Sequence, residues 1–200
     1  MHKWDTTNRH DLPTWLSWAD YHWRLFSSLV ILFALGWITF TGLYAPVSEN
    51  VDIRAPQAGF LAPEFSLSSL DGKAISLPDF HGKAVVLNFW ATWCPPCKAE
   101  MPSFEKVYQS QHHLGVEILA VNRTDQDALP AIRKFSDSYQ LSFPILLDEK
   151  GDISRLYRVT AMPTTFFIRP DGIIHRVVIG GPLPEAFILA EIQQMMAEDQ

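Results

Sequence analysis

Cysteine is scarce in this chain: 200 residues carry two, Cys94 and Cys97, with two residues between them. A disulfide framework stapling distant segments is therefore excluded. A bridge between these two would close a tiny loop and restrict the unfolded chain little. Also missing is any run of Lys or Arg, and the formal net charge of −6 is spread over interspersed acids and bases. That leaves no electrostatic footprint for nucleic acid, and no nucleic-acid partner is expected. Internal repeats and low-complexity tracts are absent from the sequence. The length suits one domain with a buried core plus an additional segment.

The most telling absence lies near the amino end. From Leu25 to Ala45 there is no Asp, Glu, Lys or Arg, and Leu29 to Ile38 is apolar on every face. A helix of that length covers about 30 Å, the thickness of a bilayer core. A helix packed on a soluble core would be apolar on one side only. Trp15, Trp18, Tyr21 and Trp23 before the run and Tyr44 after it form the aromatic belt of a membrane span. A cleaved signal peptide is the rival reading. The long polar and aromatic stretch ahead of the run, and the exit Leu43-Tyr44-Ala45-Pro46, a poor small-x-small site, favour a retained anchor. No cysteine lies directly after the span to take a lipid. Arg9 and Arg24 against Arg54 set the amino terminus in the cytoplasm by one charge. The expected organisation is a cytoplasmic tail over 1–24, a transmembrane anchor over 25–45, a linker with Pro46, Pro56 and Gly59 over 46–60, and an extracytoplasmic domain over 61–200.

Strand and helix patterns alternate beyond Phe60. Phe65-Ser66-Leu67 and Ala74 to Leu77 flank the turn Asp71-Gly72-Lys73 as an expected hairpin. Ala84 to Trp90 and Val116 to Val121 read as strands buried on both faces. After Pro96 a helix is expected to bury Cys97, Met101, Phe104, Tyr108 and Gln111. Asp127 is placed to cap a helix with the face Leu129, Ile132, Phe135 and Tyr139. Phe143 to Leu147 is a short extended segment. Thr164 to Ile168 turns at Pro170-Asp171-Gly172 into Ile173 to Ile179, and a last helix over about 184–197 presents Ile188, Ile192 and Met195. The fold class is α/β, a mixed sheet with helices on its faces.

Cys-x-x-Cys suits thiol–disulfide exchange, one sulfur attacking a substrate disulfide and the other resolving the mixed disulfide. At a strand-to-helix junction the free N–H groups and the positive end of the helix dipole stabilise a thiolate. Cys94 is thus the expected attacking sulfur and Cys97, one turn in, the resolving one. Pro95 and Pro96 fit helix entry and remove two amide donors, which argues against an extremely depressed pKa and a strong oxidant. Trp90 and Trp93 are candidates to shield the site, with a place in the core as the alternative for either.

Other uses of the pair fit less well. Haem attachment needs His after the second cysteine, where this chain has Lys98. Zinc needs further ligands, and the adjacent His112 and His113 lack the usual spacing. Asn122-Arg123-Thr124 matches a glycosylation sequon, a pattern common by chance.

The segment Asn88-Phe89-Trp90-Ala91-Thr92-Trp93-Cys94-Pro95-Pro96-Cys97-Lys98-Ala99-Glu100-Met101-Pro102 resembles the thioredoxin superfamily, and most of all its membrane-anchored TlpA/ResA-type thiol–disulfide oxidoreductases. Ala62-Pro63-Glu64-Phe65, Asp71-Gly72-Lys73, Gly82-Lys83, Pro102 and Met162-Pro163-Thr164-Thr165 fit the same pattern, so the resemblance runs over about 60–197. It implies a thioredoxin-like fold with an N-terminal hairpin. It implies a cis Pro163 beside the sulfurs and a substrate strand pairing with the Met162 backbone. Trp93, Pro95, Pro96, Met162 and Thr164 then border the substrate. Ordinary thioredoxins carry an Asp six residues before the first cysteine, where this chain has Asn88. Glu100, three residues after Cys97 on the same helix face, becomes the candidate proton acceptor.

The resemblance further implies a protein disulfide as substrate, apocytochrome c being one candidate. A thiol-carrying membrane protein would be the electron donor and the bilayer would hold residues 25–45. No cofactor and no metal are expected. A peroxiredoxin-like enzyme is one alternative, although its P-x-x-x-T-x-x-C pattern would need Pro at Leu87 and Thr at Ala91. A tethered copper chaperone is another, with His175 as a conceivable third ligand, although that family separates its cysteines by three residues. Whether the pair runs as reductant or oxidant stays open on the sequence.

Overall fold

The computed structural model describes the backbone of residues 14–43 and 53–197, and the side chains of 22–40 and 53–197. The belt side chains Trp15, Trp18, Tyr21 and Tyr44, the start of the expected tail and the first part of the expected linker fall outside the described residues. The chain divides into two compact units, Met1–Val51 and Asp52–Gln200.

In the first unit, helix α1 covers Thr14–Leu43, so the change of composition at residue 25 falls inside one continuous helix. Its stretch His22–Phe40 has a mean hydropathy of 1.6 and buries nothing within the chain. By length and composition it is sufficient to cross a membrane. The few hydroxyls along it turn back on the helix: Ser27 and Ser28 donate to the Arg24 carbonyl, and Thr39 to those of Leu35 and Gly36. Such back-bonding satisfies polar groups in surroundings that offer no water.

The second unit is built on one seven-stranded sheet in the order β2-β1-β5-β4-β3-β6-β7. In chain order these are β1 (Ser66–Ser69), β2 (Ala74–Ser76), β3 (Ala84–Trp90), β4 (Val116–Asn122), β5 (Ile145–Leu147), β6 (Thr164–Ile168) and β7 (Ile174–Ile179). Strands β3, β4 and β5 run parallel, while β6 is antiparallel to β3, β7 to β6, and β1 to both β2 and β5. The continuous apolar runs of β3 and β4 are buried at every position, because the sheet is covered on both faces.

Alternation along β3 sorts the core into two clusters. Val86 and Trp90 share one face with Met101 and Phe104 of α2 (Pro95–Gln111), Ile132 and Phe135 of α3 (Leu129–Tyr139), and Ile188, Ile192 and Met195 of a C-terminal helix, Glu185–Ala197. Val85, Leu87 and Phe89 face the other way, onto Phe65, Leu77, Phe166 and Tyr157. Tyr157 follows the short helix α4 (Asp152–Leu156), and its hydroxyl donates to the Pro63 carbonyl at 2.6 Å. The C-terminal helix is α5.

Locally the structure departs from the sequence reading or adds to it. The buried stripe of α2 is Cys97, Glu100, Met101, Phe104 and Val107; Tyr108 and Gln111 are only partly covered. Asn122 is fully buried inside the β4 end, so the sequon there offers no surface acceptor. Helix α4 was not expected, since five residues carry no readable period; the buried Asp148 carboxylate starts it by accepting from the Ile153 and Ser154 amides and the Ser154 hydroxyl.

Candidate active site

The cysteines sit where β3 ends and α2 begins. Cys94 is the N-cap of α2 in an extended conformation, and Pro95 and Pro96 occupy the first helical positions. Neither proline has an N–H, so the first amide available at this helix start is that of Cys97. It donates to the Cys94 sulfur at 3.3 Å. Of the amide donors that a helix N-terminus usually offers, one remains on the sulfur, as the two prolines imply. The two cysteines form a disulfide. Cys97 is fully buried and Cys94 retains 3% exposure, which leaves Cys94 the one within reach of a partner.

Glu100 is fully buried, three residues after Cys97 on the same side of α2. One carboxylate oxygen accepts from Asn88 Nδ2 at 2.9 Å, and the other from the Leu183 amide at 3.2 Å. Asn88 Nδ2 also donates to Thr165 Oγ1, its cross-strand partner in the β3–β6 register. Asn88 Oδ1 is buried with no hydrogen-bond partner. Burial is the dominant influence on Glu100. It raises the carboxyl to about 7, against the opposing pull of the Asn88 and Leu183 hydrogen bonds. A carboxyl poised there can take a proton from a thiol and return it near neutral pH.

The loop before β6 closes the other side. The Met162–Pro163 peptide is cis. The Pro163 carbonyl accepts from the Gly180 amide at 2.7 Å, which ties this loop to the end of β7. A Cβ placed on Gly181 would lie 2.6 Å from a Glu100 oxygen and 2.7 Å from Pro163 Cγ, so backbone, carboxylate and proline ring meet at one point. The Gly181–Pro182 bond is also cis, which the sequence reading did not foresee.

The expected bordering residues divide. Trp93 is half exposed, and its indole N–H donates to the Gln126 carbonyl at 2.9 Å. A groove of about 330 Å³ lies between Trp93 and Met162, with Gln126, Val159 and Ala161 in its walls. Thr164 is buried, and its hydroxyl donates to the Ala161 carbonyl, so it shapes the loop from within. Trp90 is core, packed on Phe135 at 5.1 Å between ring centroids. His175 does not adjoin the cysteines. It lies beside Ile174, which pairs with Ile168, whereas Thr164 and Ile179 mark the cysteine end of these strands. Its side chain faces Glu191 at 3.4 Å. The third ligand that a copper-chaperone reading needs is therefore at the wrong end of the sheet.

Residues 58–177 match the model of the AhpC/TSA family. The thiol-disulfide oxidoreductase ResA of Oceanobacillus iheyensis is 38% identical over 160 residues, which span 78% of this chain and 81% of that protein. The chain belongs to the thioredoxin superfamily, among its ResA-type members. Two solved structures carry the same fold. A thiol:disulfide interchange protein of the thioredoxin family from Chlorobium tepidum superposes with a TM-score of 0.63 at 27% identity, over 68% of this chain and 94% of that one. StoA of Bacillus subtilis superposes with a TM-score of 0.57 at 31% identity, over 64% and 96%. A ResA-type frame with a Cys94–Cys97 disulfide at its helix start is a thiol–disulfide oxidoreductase. The thioredoxin-like mixed sheet and flanking helices stand as the resemblance implied.

Proposed function

We propose that this protein is a membrane-anchored disulfide reductase. Its anchor is the apolar stretch of α1, its amino terminus is cytoplasmic and its thioredoxin-like domain is extracytoplasmic. In the reduced protein the Cys94 thiolate attacks a substrate disulfide and expels one substrate sulfur as a thiolate, which takes up from water the proton that Cys94 shed on ionising, leaving a mixed disulfide. Glu100, ionised, takes the proton of the Cys97 thiol. The Cys97 thiolate attacks the Cys94 sulfur, closes the Cys94–Cys97 disulfide and releases the second substrate sulfur, which regains a proton from Glu100. One substrate disulfide becomes two thiols and one protein dithiol becomes a disulfide, so electrons and protons balance.

Glu100 is the observation that carries this order of events: a fully buried carboxyl near pKa 7, one helical turn from the buried resolving cysteine. The groove between Trp93 and Met162 would receive the substrate chain, with Pro163 holding the loop that it pairs with. A reductase in an oxidising compartment needs electrons from across the membrane, so the donor is a thiol-carrying membrane protein. The substrate class is a protein disulfide, and apocytochrome c is one candidate that the family resemblance implies.

The reduction potential tests the direction. Equilibration of the Cys94–Cys97 pair with glutathione should give a value well below about −210 mV, on the reducing side of an oxidising compartment. A value above about −180 mV would make the pair an oxidant and overturn the reductase reading.

A further inference from the structure

Asp127 has no part in the chemistry above, yet its carboxylate is directed at the turn that carries Cys94. The sequence places it as the cap of α3, but the N-cap is Ala128 and no side chain caps that helix. The carboxylate crosses instead to the chain ahead of the nucleophile. One oxygen accepts from the Thr92 amide at 2.6 Å and from Asn122 Nδ2 at 3.0 Å. The other accepts from the Thr92 hydroxyl at 2.6 Å and from the Ala128 amide at 2.9 Å. Hydrogen bonds to an ionised acceptor are the strong ones, and here four donors converge on one carboxylate.

The neighbours of Asp127 hold the same turn. The Trp93 indole donates to the Gln126 carbonyl, and the Arg123 amide donates to the Trp90 carbonyl at 3.0 Å. The connection between β4 and α3 thus grips Trp90, Thr92 and Trp93, the approach to Cys94, from outside the helix. This grip has most to do when the disulfide is open. Cys94 then loses its covalent tie to Cys97. Pro95 and Pro96 supply no amide to restrain it, and what remains is short-range: the Cys97 amide on its sulfur at 3.3 Å, the Lys98 amide on its carbonyl at 3.1 Å and its own amide on the Ala91 carbonyl at 3.2 Å.

We propose that Asp127 is a positioning residue: through Thr92 it keeps the reduced Cys94 turn in attacking geometry, so that the sulfur meets a substrate disulfide in line. The inference rests on Cys94 as the attacking sulfur. Small displacements of a reacting atom lower rates steeply, whereas a small, freely oriented reagent is insensitive to them.

The experiment uses the reduced full-length protein in detergent and two readouts. One is the pH-independent rate of exchange with a disulfide-bonded model peptide, and the other is the rate of Cys94 alkylation by iodoacetamide. Thr92→Val removes one of the four bonds and no charge. It should slow exchange about threefold and leave alkylation unchanged, and Thr92→Ser, which keeps the hydroxyl, should restore the rate. Asp127→Ala should slow exchange about tenfold. Wild-type exchange rates in Thr92→Val and Asp127→Ala would overturn the proposal. So would an equal loss in alkylation, which would mean altered thiol reactivity and not altered placement. If Asp127→Ala fails to fold, the Thr92 pair decides. If the unaltered protein forms its substrate adduct on Cys97 and not on Cys94, the underlying assignment has failed, a result separate from either rate.

Discussion

Glu100 joins the chemistry of the site to the stability of the protein. Its carboxyl titrates at about 7 when folded, against an ordinary value of 4.5. Between those values the unfolded carboxyl is ionised while the folded one keeps its proton. The folded state then binds more protons, and stability falls as pH rises. The loss is absent below the unfolded value and complete above the folded one, and amounts to about 3 kcal/mol. Urea unfolding of the oxidised protein from pH 4 to pH 8 should show this decline, and Glu100→Gln should flatten it. The same variant should slow the resolving step about tenfold or more and remove the inflection near pH 7 from the rate profile. Glu100 was legible in the sequence because its spacing from Cys97 fixes a shared helix face, and Asn88 because the resemblance marks the position six residues before the first cysteine, where ordinary thioredoxins carry Asp. The destination of Asp127 was not legible. Cap rules read the residue ahead of a helix, but where its carboxylate goes depends on how closely another turn approaches, and sequence spacing does not encode that.

At the scale of elements, the site is assembled by three connections: β3 to α2, the loop entering β6, and β7 to α5. The bounds of β3 and β6 agree with the sequence reading, because both strands are buried at every position and their residue pattern stops where burial stops. The β7-to-α5 connection was silent in sequence. Gly180-Gly181-Pro182 reads only as a turn, and its role follows from close approach: Gly181 leaves room for the Glu100 carboxylate and the Pro163 ring. Gly181→Ala would push a methyl group into both. It should destabilise the domain by about 1–3 kcal/mol, measured by thermal or urea unfolding, and lower exchange activity as well. Wild-type stability in this variant would mean that the loop moves aside freely.

At the scale of the whole molecule, the two units present different surfaces. The domain hides its apolar residues in two clusters on either side of the sheet. Helix α1 leaves Phe26, Leu29, Leu32, Phe33 and Trp37 exposed, a surface suited to lipid. The sequence showed this division through the charge-free run and the aromatic residues that flank it. It did not show that the helix begins well ahead of that run, at Thr14, because polar residues are compatible with helix outside a membrane. Under the proposed function, the anchor confines the exchange site to the membrane surface. The account depends most on Cys94 attacking and Cys97 resolving, and trapping reads that out directly. Full-length Cys97→Ser, reduced in membranes and mixed with a disulfide-bonded peptide, should accumulate a mixed disulfide that mass spectrometry maps to Cys94, while Cys94→Ser accumulates none. An adduct on Cys97 in Cys94→Ser, with none in Cys97→Ser, would contradict the account.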